Sequence, residues 1–289
     1  MSSAILSVLT GIAGMLGWGL YDFLGGVYAK QIGPFRSFFW SQLAGLASAI
    51  VLTFVVATSL SVPVLVIMLL PIAAILYSAG YLFFFKGLQI GNVSIVAATM
   101  NLWAVFTMLF AFIFLGQRLS TTQSLGVLLI LSGVTLASTD WSNLRHQGFR
   151  LSSGVKEAIL GAFFFGVFWN LSEVISERIG WLWTTLLVKL GIVLSVLLFS
   201  LLMRRELDIA RATTRTKFMI VVMGMVEAGA VAAVNYGLTI GDAILITPIA
   251  SALSIVTIAL AIVILKDRVT KLQGLGMTAA IAGIVVTAF

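Results

Sequence analysis

The chain has 289 residues, 61% of them hydrophobic and only 9% charged, against about 25% charged in a soluble globular protein, so no water-facing surface can be built from this composition. The net charge of +7 lies in short connectors between apolar runs, where membrane topology accounts for it better than nucleic-acid binding does. With no Cys and a single His, His146, disulfide frameworks, thiolate or His-based metal sites and Ser/His triads are excluded, and no cofactor is expected.

Crossing the hydrocarbon core takes about 20 apolar residues in a helix. Ten such segments follow one another, at about residues 4–28, 34–58, 64–87, 93–115, 122–138, 158–175, 181–203, 218–238, 243–265 and 272–289. The expected class is all-α integral membrane, because β-barrel strands alternate in polarity and are about half as long. The first segment has no basic flank or small-residue cleavage site and contains Trp18, Tyr21 and Asp22. It is therefore expected to stay in the mature protein.

A polar connector at 139–157 divides the chain, which invites a search for a repeat. A shift of 150 positions lays Gly87-Leu-Gln-Ile-Gly91 on Gly237-Leu-Thr-Ile-Gly241, Thr107 on Thr257, Arg118 on Arg268, Gln123 on Gln273 and Gly133 on Gly283. One further residue of offset lays Trp18 and Asp22 on Trp169 and Glu173. The expected organisation is a five-helix unit at 1–138, a connecting loop at 139–157 and a second unit at 158–289. Five is odd, so the second unit enters the membrane from the opposite side. Two inverted repeats around a central cavity are the architecture of secondary transporters.

The basic connectors follow helices 1, 3, 5, 7 and 9 and hold Lys30, Arg36, Arg145, Arg150, Arg204, Arg205, Arg211, Arg215, Lys217, Lys266, Arg268 and Lys271; the opposite connectors hold mainly Arg118 and Arg178. The positive-inside rule then puts the first set in the cytoplasm and both termini outside.

Ionisable side chains within spans are costly and need an account. Asp22, Lys86, Glu173, Lys189 and Glu227 are the candidates, with Lys86 and Glu173 close enough to helix ends to reach an interface. In one reading Asp22 and Glu227 hold an ammonium group or a proton and Lys189 pairs with a carboxylate. In the other, Glu227 and Lys189 neutralise each other. Asp22 and Glu173, carried to opposite faces by the inversion, are expected to work near opposite mouths or to fix helix ends. Trp18, Tyr77, Tyr81, Trp103 and Trp169 share spans with carboxylates, Asn101 or small residues, and aromatic faces beside a carboxylate suit ammonium groups. Packing is the alternative for each aromatic, and for Asn101 and Asn235. Trp181 and Trp183 read as an interfacial belt. The Gly87/Gly91 and Gly237/Gly241 pairs signal close helix approach, and Pro71 and Pro248 predict kinks.

With the duplication, Trp18-Gly19 and the carboxylates in view, the chain resembles the drug/metabolite transporter superfamily, specifically its ten-helix EamA-like branch. The most similar stretches are Gly11 to Gly26, Gly87 to Ser138 and Gly237 to Ala288. The resemblance implies a basket of helices around a cavity, helices 5 and 10 at the periphery, and alternating-access movement of small metabolites, often efflux of amino acids or cationic drugs. Many relatives keep both termini in the cytoplasm, against the charge count. Lys266-Asp267-Arg268 matches the family's charged turn, whereas Gly116-Gln117-Arg118 lacks its acid.

The leading expectation is a multi-pass carrier in the cell membrane that exports a small amino or ammonium metabolite, with the bound candidates Trp18, Asp22, Tyr77, Tyr81, Asn101, Trp103, Trp169, Glu173, Lys189 and Glu227. Protons are the expected coupling ion, the substrate gradient the alternative drive. A choline-type uptake carrier is the runner-up. A channel needs no inverted pair of repeats, and an enzyme lacks a nucleophile with its base. The expected partners are the small substrate and the bilayer, without nucleic acid.

Overall fold

The fold was obtained as a computed structural model, which describes residues 3–56, 60–90, 93–139, 154–266 and 270–289. His146, Arg145 and Arg150, Gly91 and Asn92, and Asp267 and Arg268 lie outside the described residues, as does the side chain of Lys30.

The described residues form ten apolar helical spans: α1 (Ser3–Leu24), α2 (Pro34–Val56), α3 (Val64–Ile90), α4 in two pieces (Val93–Met100 and Leu102–Phe114), α5 (Thr121–Ser138), α6 (Val155–Ile179), α7 (Trp181–Leu202), α8 (Thr214–Leu238), α9 in two pieces (Ala243–Ser251 and Leu253–Leu260) and α10 (Lys271–Thr287). α1 continues as π-helix through Gly25–Ala29, and α9 through Ala261–Leu265. The chain is an all-α integral membrane protein. Large apolar side chains cover its outside, including Val55 at 78% exposure and Phe114 at 75%, the surface expected against lipid rather than water.

Helix starts and stops keep the repeat. Ser120 and Thr270 each open a helix with a reciprocal capping box, to Gln123 and Gln273, which satisfies two otherwise orphaned amides at each start. Ahead of them, Gly116 and Lys266 both adopt left-handed backbone, at φ 68° and 62°. Lys266 holds this conformation without glycine's freedom.

The ten-span count follows the apolar runs, with differences in extent and in continuity. α6 is longer than the expected 158–175, because Lys156, Glu157, Glu177 and Arg178 extend it beyond the apolar stretch. α4 and α9 are not continuous. They break at Asn101 and Ala252, one residue from exact correspondence in the repeat, and after each break an amide bonds three residues back, from Ala104 to Asn101 and from Ile255 to Ala252. In α9 the break lies just beyond Pro248, whose missing N–H weakens that turn; α4 breaks without a proline. Pro71 sits inside α3, which remains one uninterrupted helix.

The helices close into a ring in which neighbours run α1, α8, α2, α7, α3, α6, α4, α9 and back to α1. Lipid gives apolar helices little reason to associate, so close backbone packing and polar contacts must hold them. Glycine supplies the approach. α10 packs almost wholly on α5, outside the ring, where a Cβ on Gly126 would meet Gly283 and one on Gly133 would meet Gly276. That reciprocity is what a twofold operator imposes on a self-complementary interface. Gly237 and Gly241 similarly let α8 lie against Thr10 and Ser7 of α1.

Two further pairs locate the pseudo-twofold axis, because equivalent residues of the two repeats can touch only beside it. Trp18 and Trp169 lie with ring centroids 5.2 Å apart. The Tyr77 hydroxyl donates to Glu227 Oε1 at 2.6 Å, across 150 residues of chain. The axis therefore runs through the middle of the ring, parallel to the membrane.

Candidate functional site: a one-ended aromatic cavity

Inside the ring is a cavity of about 360 Å³, within the usual range for small-molecule sites. Its wall comes from the C-terminal halves of α1 and α3, the end of α5, the middle of α6, the first turn of α10 and the regions beside both helix breaks. It therefore reaches from the axis toward one end of the bundle, the end carrying the basic connectors.

The structure brings together Trp18, Asp22, Tyr77, Tyr81, Asn101, Trp103 and Trp169 on that wall. The three indoles form a cluster, with Trp103 6.2 Å from both Trp18 and Trp169. Tyr77 and Tyr81 stack obliquely at 5.2 Å, and Phe165 meets each edge-on. Asp22 is open to the cavity and is its one acidic side chain; no Lys, Arg or His lines it among the described residues. Asn101 donates to Ser138 Oγ at 3.4 Å, and the broken α9 presents Ser254, whose hydroxyl has no partner among the described residues.

Lys189 and Glu227 lie off this wall. Both are wholly buried and paired with each other, and Lys189 Nζ also donates to Gln42 Oε1 at 2.9 Å. The pair joins α7, α8 and α2, and reaches the cavity only through the Tyr77 hydroxyl, which bonds Glu227 while the ring faces inward. Asn235 is likewise consumed in packing, between Ser172 and Thr185.

Glu173 is also off the wall, at the opposite end. It is 2% exposed. Its Oε1 accepts from Gln117 Nε2 at 2.7 Å and from the Ala243 amide at 3.3 Å, while Gln117 Oε1 accepts from the Ile244 amide at 3.0 Å. These amides are free donors at the start of α9, which favours a negative group. One carboxylate and one amide thus tie the α4–α5 turn, α6 and α9 together. Asp22 and Glu173, equivalent in the repeat, occupy opposite environments, one open and one tied. Lys86 lies on the outside, 3.9 Å from Glu157.

Sequence reasoning does not single out Phe84, Met100, Phe165, Ser254, Thr257 or Gln273 as lining residues. For Thr257 and Gln273 the signal is their match to Thr107 and Gln123 across the repeat. The others have no chemical signature apart from the fold.

Comparison with family sequence models matches residues 5–139 and 152–289, one stretch per repeat, to the EamA-like transporter family. The chain belongs to that family. It is therefore a membrane transporter of the drug/metabolite type, built from two inverted five-helix repeats. No curated protein matches the chain. A solved structure described as "Crystal structure of protein" superposes with a TM-score of 0.79 over 97% of this chain and 94% of its own, at 18% identity, a likeness of fold alone.

Proposed function

We propose that this transporter is a secondary active, alternating-access carrier in the cell membrane that exports a small organic cation, an amine or quaternary ammonium with a planar or apolar body. The observation that carries the reading is the cavity wall itself: one carboxylate, Asp22, among seven aromatic side chains, with no basic side chain beside them among the described residues. Aromatic faces attract a desolvated ammonium by up to about 2 kcal/mol each, and Asp22 supplies the counter-charge. A zwitterionic amino acid would also need a cation for its own carboxylate. Lys189 is neutralised by Glu227, so an amine is favoured over an amino acid.

Asp22 can hold an ammonium or a proton but not both, which is the condition for exchanging substrate against protons. Export is supported by the cavity opening at the basic end, which the positive-inside rule assigns to the cytoplasm. Glu173 and Gln117 close the far end in this state. The Glu227–Lys189 pair acts through Tyr77, holding its ring in the wall.

Counterflow in proteoliposomes tests the proposal. Phenethylamine and tetraphenylphosphonium should each drive saturable counterflow that Asp22→Asn abolishes, and phenylalanine should not. Counterflow by phenylalanine equal to phenethylamine would overturn the assignment of substrate class, and a non-saturable flux would overturn the carrier. Counterflow of choline alone, accumulating inward, would select the uptake reading, which the same aromatic wall suits.

A further inference from the structure

The central cavity leaves Lys86 unexplained. Its side chain is 62% exposed, and the contact with Glu157, at 3.9 Å, is a loose one. Lys86 belongs instead to a second concavity, of about 360 Å³, on the outer face of the bundle between the start of α2, the end of α3 and the end of α7. Its floor is half-buried aromatic surface: Phe35 packs on Phe199 at 5.9 Å, and Phe83 and Phe85 continue the wall. Its rim at the basic end holds Lys86, Gln89 and Arg205. No carboxylate lines it among the described residues. The acid next in sequence, Glu206, is taken by Arg36 at 2.7 Å, and Arg205 makes no salt bridge among the described residues.

We infer that this groove binds an anionic phospholipid, its phosphate held between Lys86 and Arg205 and an acyl chain laid along Phe35, Phe83, Phe85 and Phe199. Three observations select that occupant. The groove faces outward on a surface otherwise clad in exposed apolar side chains, so lipid is what reaches it. Its two cations stand where spans end, Lys86 in the last turns of α3 and Arg205 just past α7, the level at which a spanning helix meets lipid headgroups, and the wall below them holds no further charge among the described residues. The end they occupy is the one rich in basic connectors, which faces the leaflet with negative surface potential if the positive-inside rule holds here. A soluble anion would use the cations but not the aromatic floor, and a neutral lipid would use the floor but not the cations.

The test compares lipids bound to the full chain by native mass spectrometry after reconstitution in equal mixtures of phosphatidylglycerol and phosphatidylcholine. With each near-surface cation worth about 1 kcal/mol, retention of phosphatidylglycerol should exceed that of phosphatidylcholine by roughly thirty-fold. Lys86→Gln with Arg205→Gln should remove the preference, while Lys217→Gln, at the same end but outside the groove, should keep it. Lys86→Arg with Arg205→Lys should also keep it, which separates lost charge from a damaged fold. Equal retention of the two lipids, an unchanged preference in the double Gln variant, or displacement of phosphatidylglycerol by millimolar inorganic phosphate would each overturn the proposal. None of these readouts depends on what the central cavity carries.

Discussion

Two buried or half-enclosed carboxylates in this chain illustrate how placement divides labour between identical chemistry. Asp22 faces open space without a partner among the described residues, so its charge is available to a ligand. Replacing it with Asn removes a charge-assisted hydrogen bond to an ammonium worth about 1.5–3 kcal/mol, and affinity for phenethylamine should fall about 10- to 100-fold by calorimetry, with Asp22→Glu retaining part of it. Glu227 has Lys189 and the Tyr77 hydroxyl as partners and no access to the cavity. Glu227→Gln leaves Lys189 charged at 0% exposure without a counter-ion, its remaining partner the neutral Gln42 amide, which should cost about 3–5 kcal/mol and lower the thermal midpoint in detergent. Adding Lys189→Met to that variant should restore most of the loss. If the double variant folds and binds tetraphenylphosphonium normally, the pair is structural; if binding fails in a fully stable double variant, its charge is felt in the cavity.

At the scale of elements, the tie between Gln117, Glu173 and the start of α9 should set how firmly the far end is shut. Because the chain has no Cys, single-cysteine probes need no background removal. Ser176, 1% exposed on α6, reports on that end: Ser176→Cys should resist a membrane-impermeant maleimide, and adding Gln117→Ala should raise its labelling rate several-fold. An unchanged rate would show that other contacts keep that end closed. The spans themselves were legible because the apolar runs of α1 to α10 are long enough to have no other stable use. The breaks at Asn101 and Ala252 were not, since a helix interrupted beside a cavity is as apolar in sequence as a continuous one. The ends of α6 were hidden too, because Lys156 and Arg178 mark the edge of the hydrocarbon and not the edge of the helix. Seven wall residues were readable, as aromatics or polar groups set in spans beside small residues. Ser254 and Met100 come to the wall through the breaks, which no local pattern announces.

For the whole molecule, the duplication read from Gly87–Gly91 and Gly237–Gly241 gave the architecture, and the contacts of Trp18 with Trp169 and Tyr77 with Glu227 place its axis. The sidedness proposed from the charge count has its own test. With the basic connectors inside, a reporter enzyme active only in the cytoplasm should be silent when fused after Phe289 and active when inserted near Arg211. Activity at the C-terminal fusion would reverse the orientation and, with it, the direction in which the open cavity loads.

The Tyr77–Glu227 contact has one more consequence. In a dimer of identical chains, the operator would set like against like at this point, two phenols or two acids. Two non-identical halves can place a donor on one side and an acceptor on the other, and here a single chain supplies both. Here the donor half also lines the chamber and the acceptor half is committed to a lysine, so exchanging the shapes of the halves cannot reproduce the same energy. On the alternating-access reading proposed above, the two doors are thus unequal by construction, and a resting preference for one of them is inscribed in the protein before any gradient is applied.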